Sequence, residues 1–362
     1  MDTLSLTYSL ADQDFSRAKS VGIFNVSTQL LEHLAWHIGF SRLNVMINSS
    51  LEGKLRLPAW VTVKRHNEAI RGKLGRILWD QWGVYKAART SGNQWLFLPK
   101  GFAAFSKPPG FRLAVYMYDT IHDFYRDNYP GVMPWFESVY FTRSLRATFK
   151  YADVIFTDSD FAKSELERAA RRFKIGIPPV ITAGVGFSGG QRMAVSRHNS
   201  LLLLTSVWPH KLTERAISFL TRWQKQVSFS GEINLVGSLP GSVHLPRVTG
   251  WRHYPRLSET KYRQFLAETK VLLFFSSYEG FGMPPVESMI AGACPVFSDL
   301  AVTREVMGEK GYSFSNDSYE SFARAMEKSL SVSEETIQLW AKQLLQRHNW
   351  DNVVRKVADG LQ

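Results

Sequence analysis

Residues 271–296 read VLLFFSSYEGFGMPPVESMIAGACPV. The run Val271–Ser276 has the pattern of a strand buried on both faces of a parallel sheet. Gly280 and Gly282 supply a turn at which backbone must approach a neighbour closely. Pro284 and Pro285 suit the first turn of a helix, where a missing N–H costs nothing. Val286, Met289 and Ile290 would form the buried stripe of that helix. The stretch therefore predicts strand, glycine turn and helix N-terminus. That geometry turns N–H groups and the positive end of a helix dipole toward an anion such as phosphate.

Two carboxylates bracket the turn. Glu279 is expected at the carboxyl end of the strand, where open α/β sheets bind their ligands. Glu287 is expected in the first helical turn. A carboxylate accepts two hydrogen bonds and vicinal sugar hydroxyls donate two. One glutamate for each of two sugars, with phosphate between them, suits a nucleotide-sugar. Spacing alone equally allows Glu287 only to complement the helix dipole and Glu279 only to be solvated.

Outward from this stretch, strand-like runs alternate with helical patterns, which implies an α/β fold with parallel sheets. The clearest runs are Gln94–Leu98, Leu113–Tyr118, Val154–Thr157, Leu201–Thr205 and Ile233–Val236. Ser159 is a fair N-cap for a helix that carries Glu165 and Glu167 early and Arg171, Arg172 and Lys174 late. After Leu201–Thr205 comes the turn Ser206–Lys211. The helix that follows has its apolar face at Ala216, Phe219, Leu220 and Trp223. The polar, glycine-bearing stretch 187–198 (FSGGQRMAVSRH) reads as an interdomain linker. It divides the chain into a doubly wound domain over 1–190 and a second over 199–345.

A chain of 362 residues, 44% hydrophobic, favours two such domains over one and makes disorder a poor description. Its one cysteine, Cys294, excludes an intrachain disulfide and fits a reducing compartment. The opening residues carry no signal-peptide pattern, and no stretch of ~18 apolar residues would span a bilayer. Charge is uneven. Residues 1–198 hold 26 Lys+Arg and 16 Asp+Glu, a net of +10, whereas the rest hold 18 and 16, a net of +2. A basic half points to an anionic partner, or to nothing beyond a soluble basic surface.

SSYEGFGMPPVESMIAGACPV resembles the donor-site motif of family 4 glycosyltransferases of GT-B fold, in which two glutamates are separated by seven residues. The likeness covers most of the chain. Ala152-Asp153-Val154-Ile155 with Ser159 and Lys163, Leu204–Lys211, Val248-Thr249-Gly250-Trp251 and Asn349-Trp350 resemble further family segments, in the family's order; the last implies a closing helix over 346–362 that joins the first domain. The resemblance implies two Rossmann-like domains facing across a cleft and retaining transfer of a hexose from a nucleotide-sugar. It implies no metal, no cofactor and no protein nucleophile. Glu287 would hold ribose, Glu279 the donor sugar, and the backbone of Gly280, Phe281, Gly282 and Met283 the sugar and diphosphate. Lys211 would neutralise diphosphate charge that grows as the bond breaks. Ser206 stands where many relatives carry a base. Trp251 would lie near the nucleobase, and the loop at Gly22 near the α-phosphate. Tyr118-Asp119 replaces a His-Asp pair. Asp119 is the candidate for orienting acceptor or reacting sugar, and His122 is either a helper or a loop histidine. A loose likeness to bacterial polysaccharide mannosyl- and rhamnosyltransferases favours GDP-mannose over UDP- or dTDP-sugars. The expected setting is synthesis of cell-surface polysaccharide such as lipopolysaccharide.

Lys64, Arg65, Arg71, Lys73 and Arg76, with Arg56 on the flank, face only Glu68 before Trp79 and Trp82. Basic residues beside tryptophan on a helix suggest an anionic membrane surface. The alternative is a solvated helix with core tryptophans. On the membrane reading, the acceptor is a lipid-linked saccharide and the protein is cytoplasmic, peripheral on the inner face of the membrane. A nucleic-acid-binding α/β protein is the rival of another class, but no zinc spacing or helix-turn-helix signature supports it. A dinucleotide oxidoreductase would need Gly-x-Gly-x-x-Gly after its first strand, and none occurs.

Overall fold

The computed structural model describes residues 4–14, 21–37, 40–189, 199–246 and 248–362. Residues 190–198 of the expected linker lie outside this set. The chain divides into two compact units, 1–186 with 348–362, and 187–347.

The first unit holds β1 (Leu4–Ser9), β2 (Phe40–Ile47), β3 (Thr62–Arg65), β4 (Trp95–Leu98), β5 (Arg112–Met117), β6 (Val154–Thr157) and β7 (Val180–Thr182). They form one sheet in the order β3-β2-β1-β4-β5-β6-β7, every pairing parallel. The second holds β8 (Ser200–Thr205), β9 (Glu232–Gly237), β10 (Trp251–Tyr254), β11 (Val271–Phe274), β12 (Cys294–Ser298) and β13 (Tyr312–Phe314). Its order is β10-β9-β8-β11-β12-β13, again all parallel. Strand order therefore reverses between β1 and β4, and between β8 and β11. In doubly wound sheets, ligands bind outside the carboxyl ends at such reversals.

Local chemistry sets these elements. All four residues of β11 are buried, as its unbroken apolar run requires. Ser159 caps the helix Asp160–Phe173 by accepting from the Ala162 N–H at 2.9 Å. The helix Thr213–Gln226 buries Ala216, Leu220 and Trp223 as its spacing predicts, and Ile217 with them, while Phe219 is half-buried. The last helix, Trp350–Gly360, begins at an Asn349 cap and buries Trp350, Val353, Val354 and Val357. Trp350 stacks on His33 with ring centroids 5.2 Å apart and donates from Nε1 to Gln29 Oε1 at 3.0 Å. Both partners lie on the helix Val21–Trp36 of the first unit. Gly22 lies within that helix rather than in a loop, a correction to the sequence reading.

Candidate functional site

The reversal between β8 and β11 is where the second unit gathers its chemistry. β8 runs into Ser206 and a short 3₁₀ turn, Pro209–Lys211. Ser206 Oγ accepts from the Trp208 N–H at 3.3 Å, and Thr213 Oγ1 bonds the Ser206 backbone on both sides, at 3.0 and 2.8 Å. The chain then passes through Leu212 at φ +48°, a left-handed conformation rare for a side chain branched like leucine's. This loop is fastened to the one after β11: the buried His210 gives its carbonyl to the Ser277 N–H at 2.7 Å and to Ser276 Oγ at 3.3 Å. Below these bonds, Ser276 N–H donates to Ser298 Oγ, and Asn316 donates from Nδ2 to the Ser276 carbonyl. Burial pushes the His210 imidazole down to about 4, assisted by the Lys211 charge, so it is neutral at pH 7.

Two neighbouring loops thus present Lys211 and Glu279 to each other. Lys211 Nζ donates to Glu279 Oε1 at 2.5 Å, and the same Nζ lies 5.1 Å from the centre of the Phe274 ring. The cation is held by a carboxylate and by a π-face, in a half-buried setting that strengthens both. Beyond Glu279, Gly280 and Phe281 are buried, with the Phe281 ring 6.0 Å from that of Phe187. Gly282 sits at φ +81°, which only glycine adopts without strain. It caps the helix Met283–Ala291, whose Pro284 and Pro285 occupy the first turn.

Glu287 is the fifth residue of this helix, past the first turn, so the dipole explanation for it loses its basis. Its Oε2 instead lies 3.5 Å from Tyr262 Oη on the neighbouring helix Glu259–Glu268. Burial pushes its pKa up to about 7, against the pull of Arg263. The two glutamates are therefore in different states: Glu279 is ion-paired, and Glu287 exchanges a proton near neutrality. The inward face of the helix is Pro285, Val286, Ser288 and Met289; Ile290, expected in that stripe, is half-buried.

Lys211, Glu279, the turn Gly280–Met283 and Glu287 thus share one end of one sheet. Ser206 lies on the same loop as Lys211 but spends its contacts on that loop. Trp251 does not reach this end. It opens β10 opposite Ile233, at the amino end of the sheet, and its Nε1 donates into the interior to Gln224 Oε1 at 2.6 Å. The carboxyl end of β10 belongs to His253 and Tyr254. His253 Nε2 lies 2.7 Å from the Gly237 carbonyl, and Tyr254 packs edge-on against Phe265. His210, Tyr254 and Tyr262 escaped sequence reasoning. The turn Pro209-His210-Lys211 was a usable signal, whereas Tyr262 becomes a neighbour of Glu287 only through helix packing.

Asp119, His122 and Gly22 all belong to the first unit. Asp119 Oδ1 accepts from the Ile121 N–H at 3.0 Å and so starts the helix Ile121–Asn128. His122 lies parallel to the Phe141 ring at 3.5 Å, and its Nδ1 is 3.2 Å from Met133 Sδ. Burial pushes it down to about 4, which describes a packed neutral histidine. This unit also collects charge at its own reversal. Asp12, after β1, lies 3.3 Å from Arg76 and 3.9 Å from Lys100, which follows β4; Arg76 is 3.8 Å from Asp80. Burial, then the Asp12 charge, pushes Asp80 up to about 7, and burial lowers Lys100.

Two Asp-x-Asp sequences, a common metal-holding spacing, occur at Asp12–Asp14 and Asp158–Asp160. Asp12 is committed to cations, and Asp160 Oδ1 accepts from Thr182 Oγ1 at 2.6 Å. Among the described residues no three His, Cys, Asp or Glu side chains gather to hold a metal ion.

Residues 250–343 match the family described as glycosyl transferases group 1. The serotype-specific mannosyltransferase WbdA of Escherichia coli is 33% identical over 92 residues, 25% of this chain and 11% of that protein. The chain thus spans about a tenth of the length of the curated relatives it matches. Among solved structures, sucrose-phosphate synthase from Thermosynechococcus elongatus gives a TM-score of 0.66 at 14% identity, covering 98% of each chain. Anabaena HepE, solved with UDP and glucose, gives 0.64 at 12% identity, again covering 98% of each. At these identities the structural likeness concerns the fold, which is the α/β GT-B fold.

Proposed function

We propose, from the premise that this is a GT-B protein carrying a group 1 glycosyltransferase region, that it moves a hexose from a nucleotide-sugar to a saccharide acceptor. The observation that carries the reading is the Lys211–Glu279 pair at the β8/β11 reversal, with Glu287 on the helix that follows. Glu287, once ionised, accepts from vicinal ribose hydroxyls. The turn Gly280–Met283 lets the diphosphate approach a helix N-terminus. Lys211 turns from Glu279 to the diphosphate as the glycosidic bond breaks, and Glu279, released, accepts from sugar hydroxyls. Stabilisation of the leaving group by the Lys211 ammonium supports transfer without a metal; retention without a protein nucleophile is what the family resemblance implies. Asp119 orients the acceptor or the reacting sugar.

The mannosyltransferase name carried by the E. coli relatives supports mannose, hence GDP-mannose, over the UDP seen with HepE. The basic first unit supports a lipid-linked acceptor at an anionic membrane, in polysaccharide synthesis. No helix among the described residues is long and apolar enough to cross that membrane.

The test is a thermal-shift screen against GDP, UDP, dTDP and ADP, followed by calorimetry. At a hundredfold excess over Kd, a native-state ligand adds ~2.7 kcal/mol of stability. GDP is expected to give the largest shift, and Glu287→Ala and Lys211→Ala to weaken it. Unchanged affinity in both variants sinks the site assignment, and a larger UDP shift sinks the mannose reading. Turnover lost in EDTA and restored by Mg²⁺ removes the metal-free mechanism.

A further inference from the structure

The first unit turns an apolar face outward. The helix Gly72–Leu78 buries none of its side chains. Leu74 is 77% exposed, Leu78 is more than half exposed, and Trp82 is 64% exposed, at successive steps of four along one side. The backbone accounts for this. The π turn Trp79–Gly83 inserts a residue, so the helix Val84–Ser91 beyond it points Val84, Tyr85 and Ala88 into the core while the segment before it faces away. Gly83 permits the turn, since a Cβ there would meet the Trp79 ring at 2.7 Å. Trp79 is buried and Trp82 is not, which divides the tryptophan pair that the sequence left open.

A second element completes the face. The helix Trp135–Tyr151 starts with Trp135, 77% exposed, and continues with Phe136 and Val139, also exposed. The two helices are neighbours: Lys73 Nζ is 3.6 Å from Glu137 Oε1, and Tyr140 hydrogen-bonds Gln81. Gln81 Oε1 also accepts from the N–H of Phe105, whose exposed ring lies 5.8 Å from Tyr140.

We infer that this two-helix apolar face inserts into the headgroup layer of an anionic lipid bilayer. The inference rests on the proposed membrane-bound acceptor and names the surface that meets it. What selects lipid as the occupant is the charge around the face. Residues 64–86 carry six Lys+Arg against Glu68 and Asp80; Arg76 and Asp80 are both withdrawn into the ion cluster with Asp12, which leaves five cations against Glu68. Arg71 and Lys73 stand beside Leu74, Lys64 and Arg65 line the exposed edge of β3, and exposed Arg143 follows Val139 by one helical turn. Aromatic tips backed by cations match the boundary between acyl chains and anionic headgroups. The core of a protein interface would instead be depleted of lysine.

Because apolar contact carries the binding, it differs from adsorption by charge alone in its response to salt. Liposomes of phosphatidylcholine, with and without phosphatidylglycerol, are sedimented with the whole chain at low and high salt. Wild type is expected to bind the mixed liposomes at both salt levels. The variant Leu78→Glu with Trp135→Glu should lose roughly tenfold or more at both. Arg71→Gln with Lys73→Gln should lose binding chiefly at low salt. Trp82→Leu with Trp135→Leu keeps the face apolar, so it should still bind while losing quenching by brominated lipid. All five positions are exposed, and each variant should keep the wild-type nucleotide-induced thermal shift. That readout separates failure of this inference from failure of the proposed donor site. Undiminished binding by the glutamate variant overturns the inference. So does a wild-type dimer, in the absence of lipid, that the glutamate variant abolishes, since the face would then serve a second copy.

Discussion

Both sheets reverse strand order once, and both gather charge at the reversal, but they use it differently. At β1/β4, two carboxylates and two cations, Asp12, Asp80, Arg76 and Lys100, answer one another, and none is in surplus. At β8/β11 there is one close pair, Lys211 with Glu279, beside a helix N-terminus and a half-protonated Glu287. A closed four-charge cluster resists an added ion, because any new partner must displace an old one in a poorly solvated place. A single pair next to a glycine turn can exchange its carboxylate for a phosphate at little electrostatic loss. The same topology thus yields a structural lock in one unit and an exchangeable contact in the other.

The strongest way to break this comparison is to weaken one unit alone. Trp350→Ala removes a buried indole that packs against Gly186 and His33 and bonds Gln29. It should cost about 3–5 kcal/mol. The loss should appear as early unfolding of the first unit in calorimetry, with the nucleotide-induced shift of the second preserved; one cooperative transition that moves as a whole would contradict separate units. Next, Lys211→Ala should lower kcat by roughly 100–1000-fold. In a cycle with Glu279→Gln, the double variant should fall well short of the summed losses, because the two side chains act as a pair. Strict additivity would mean they work independently.

The smallest effect sharpens the comparison through pH. Asp80 and Glu287 both titrate near 7 in the fold, above the usual carboxyl range. In each case the native state holds a proton that the unfolded chain has released. The stability they favour is present at low pH and is lost as pH rises from about 4 to about 7, at most about 4 kcal/mol for each group. Asp80→Asn should flatten that slope in the first unit and Glu287→Gln in the second. Nucleotide affinity should run the other way, weakening below pH 7, because the proposed ribose contact needs the Glu287 carboxylate. Affinity that does not vary between pH 5.5 and 8 would argue against the ribose role.

The alternation of short apolar runs with capped helices was readable because those signals are local: a buried parallel strand, a Ser cap and a glycine turn each declare themselves within a few residues. Glu279, Lys211 and the turn between Gly280 and Met283 come together because strand ends do, so topology carried them from sequence to one place. Trp251 shows the limit. The expectation for it came from family likeness, while its contacts come from which end of β10 it occupies. Tyr262 meets Glu287 only because two helices pack side by side, and Trp79 parts from Trp82 only because a π turn changes the phase. No pattern within the segment encodes either event.

The return of the last helix to the first unit also fixes an order in time. Trp350 and its neighbours leave the ribosome after every residue of the second unit. At about 5–20 residues per second, the 161 residues of 187–347 take on the order of ten seconds or more to synthesise. Throughout that interval the surface around His33, Phe156 and Ile181 lacks the helix that covers it. The second unit, begun later, has all its strands first. The first unit is therefore completed after the second, and during synthesis it is the unit that chaperones have most reason to hold.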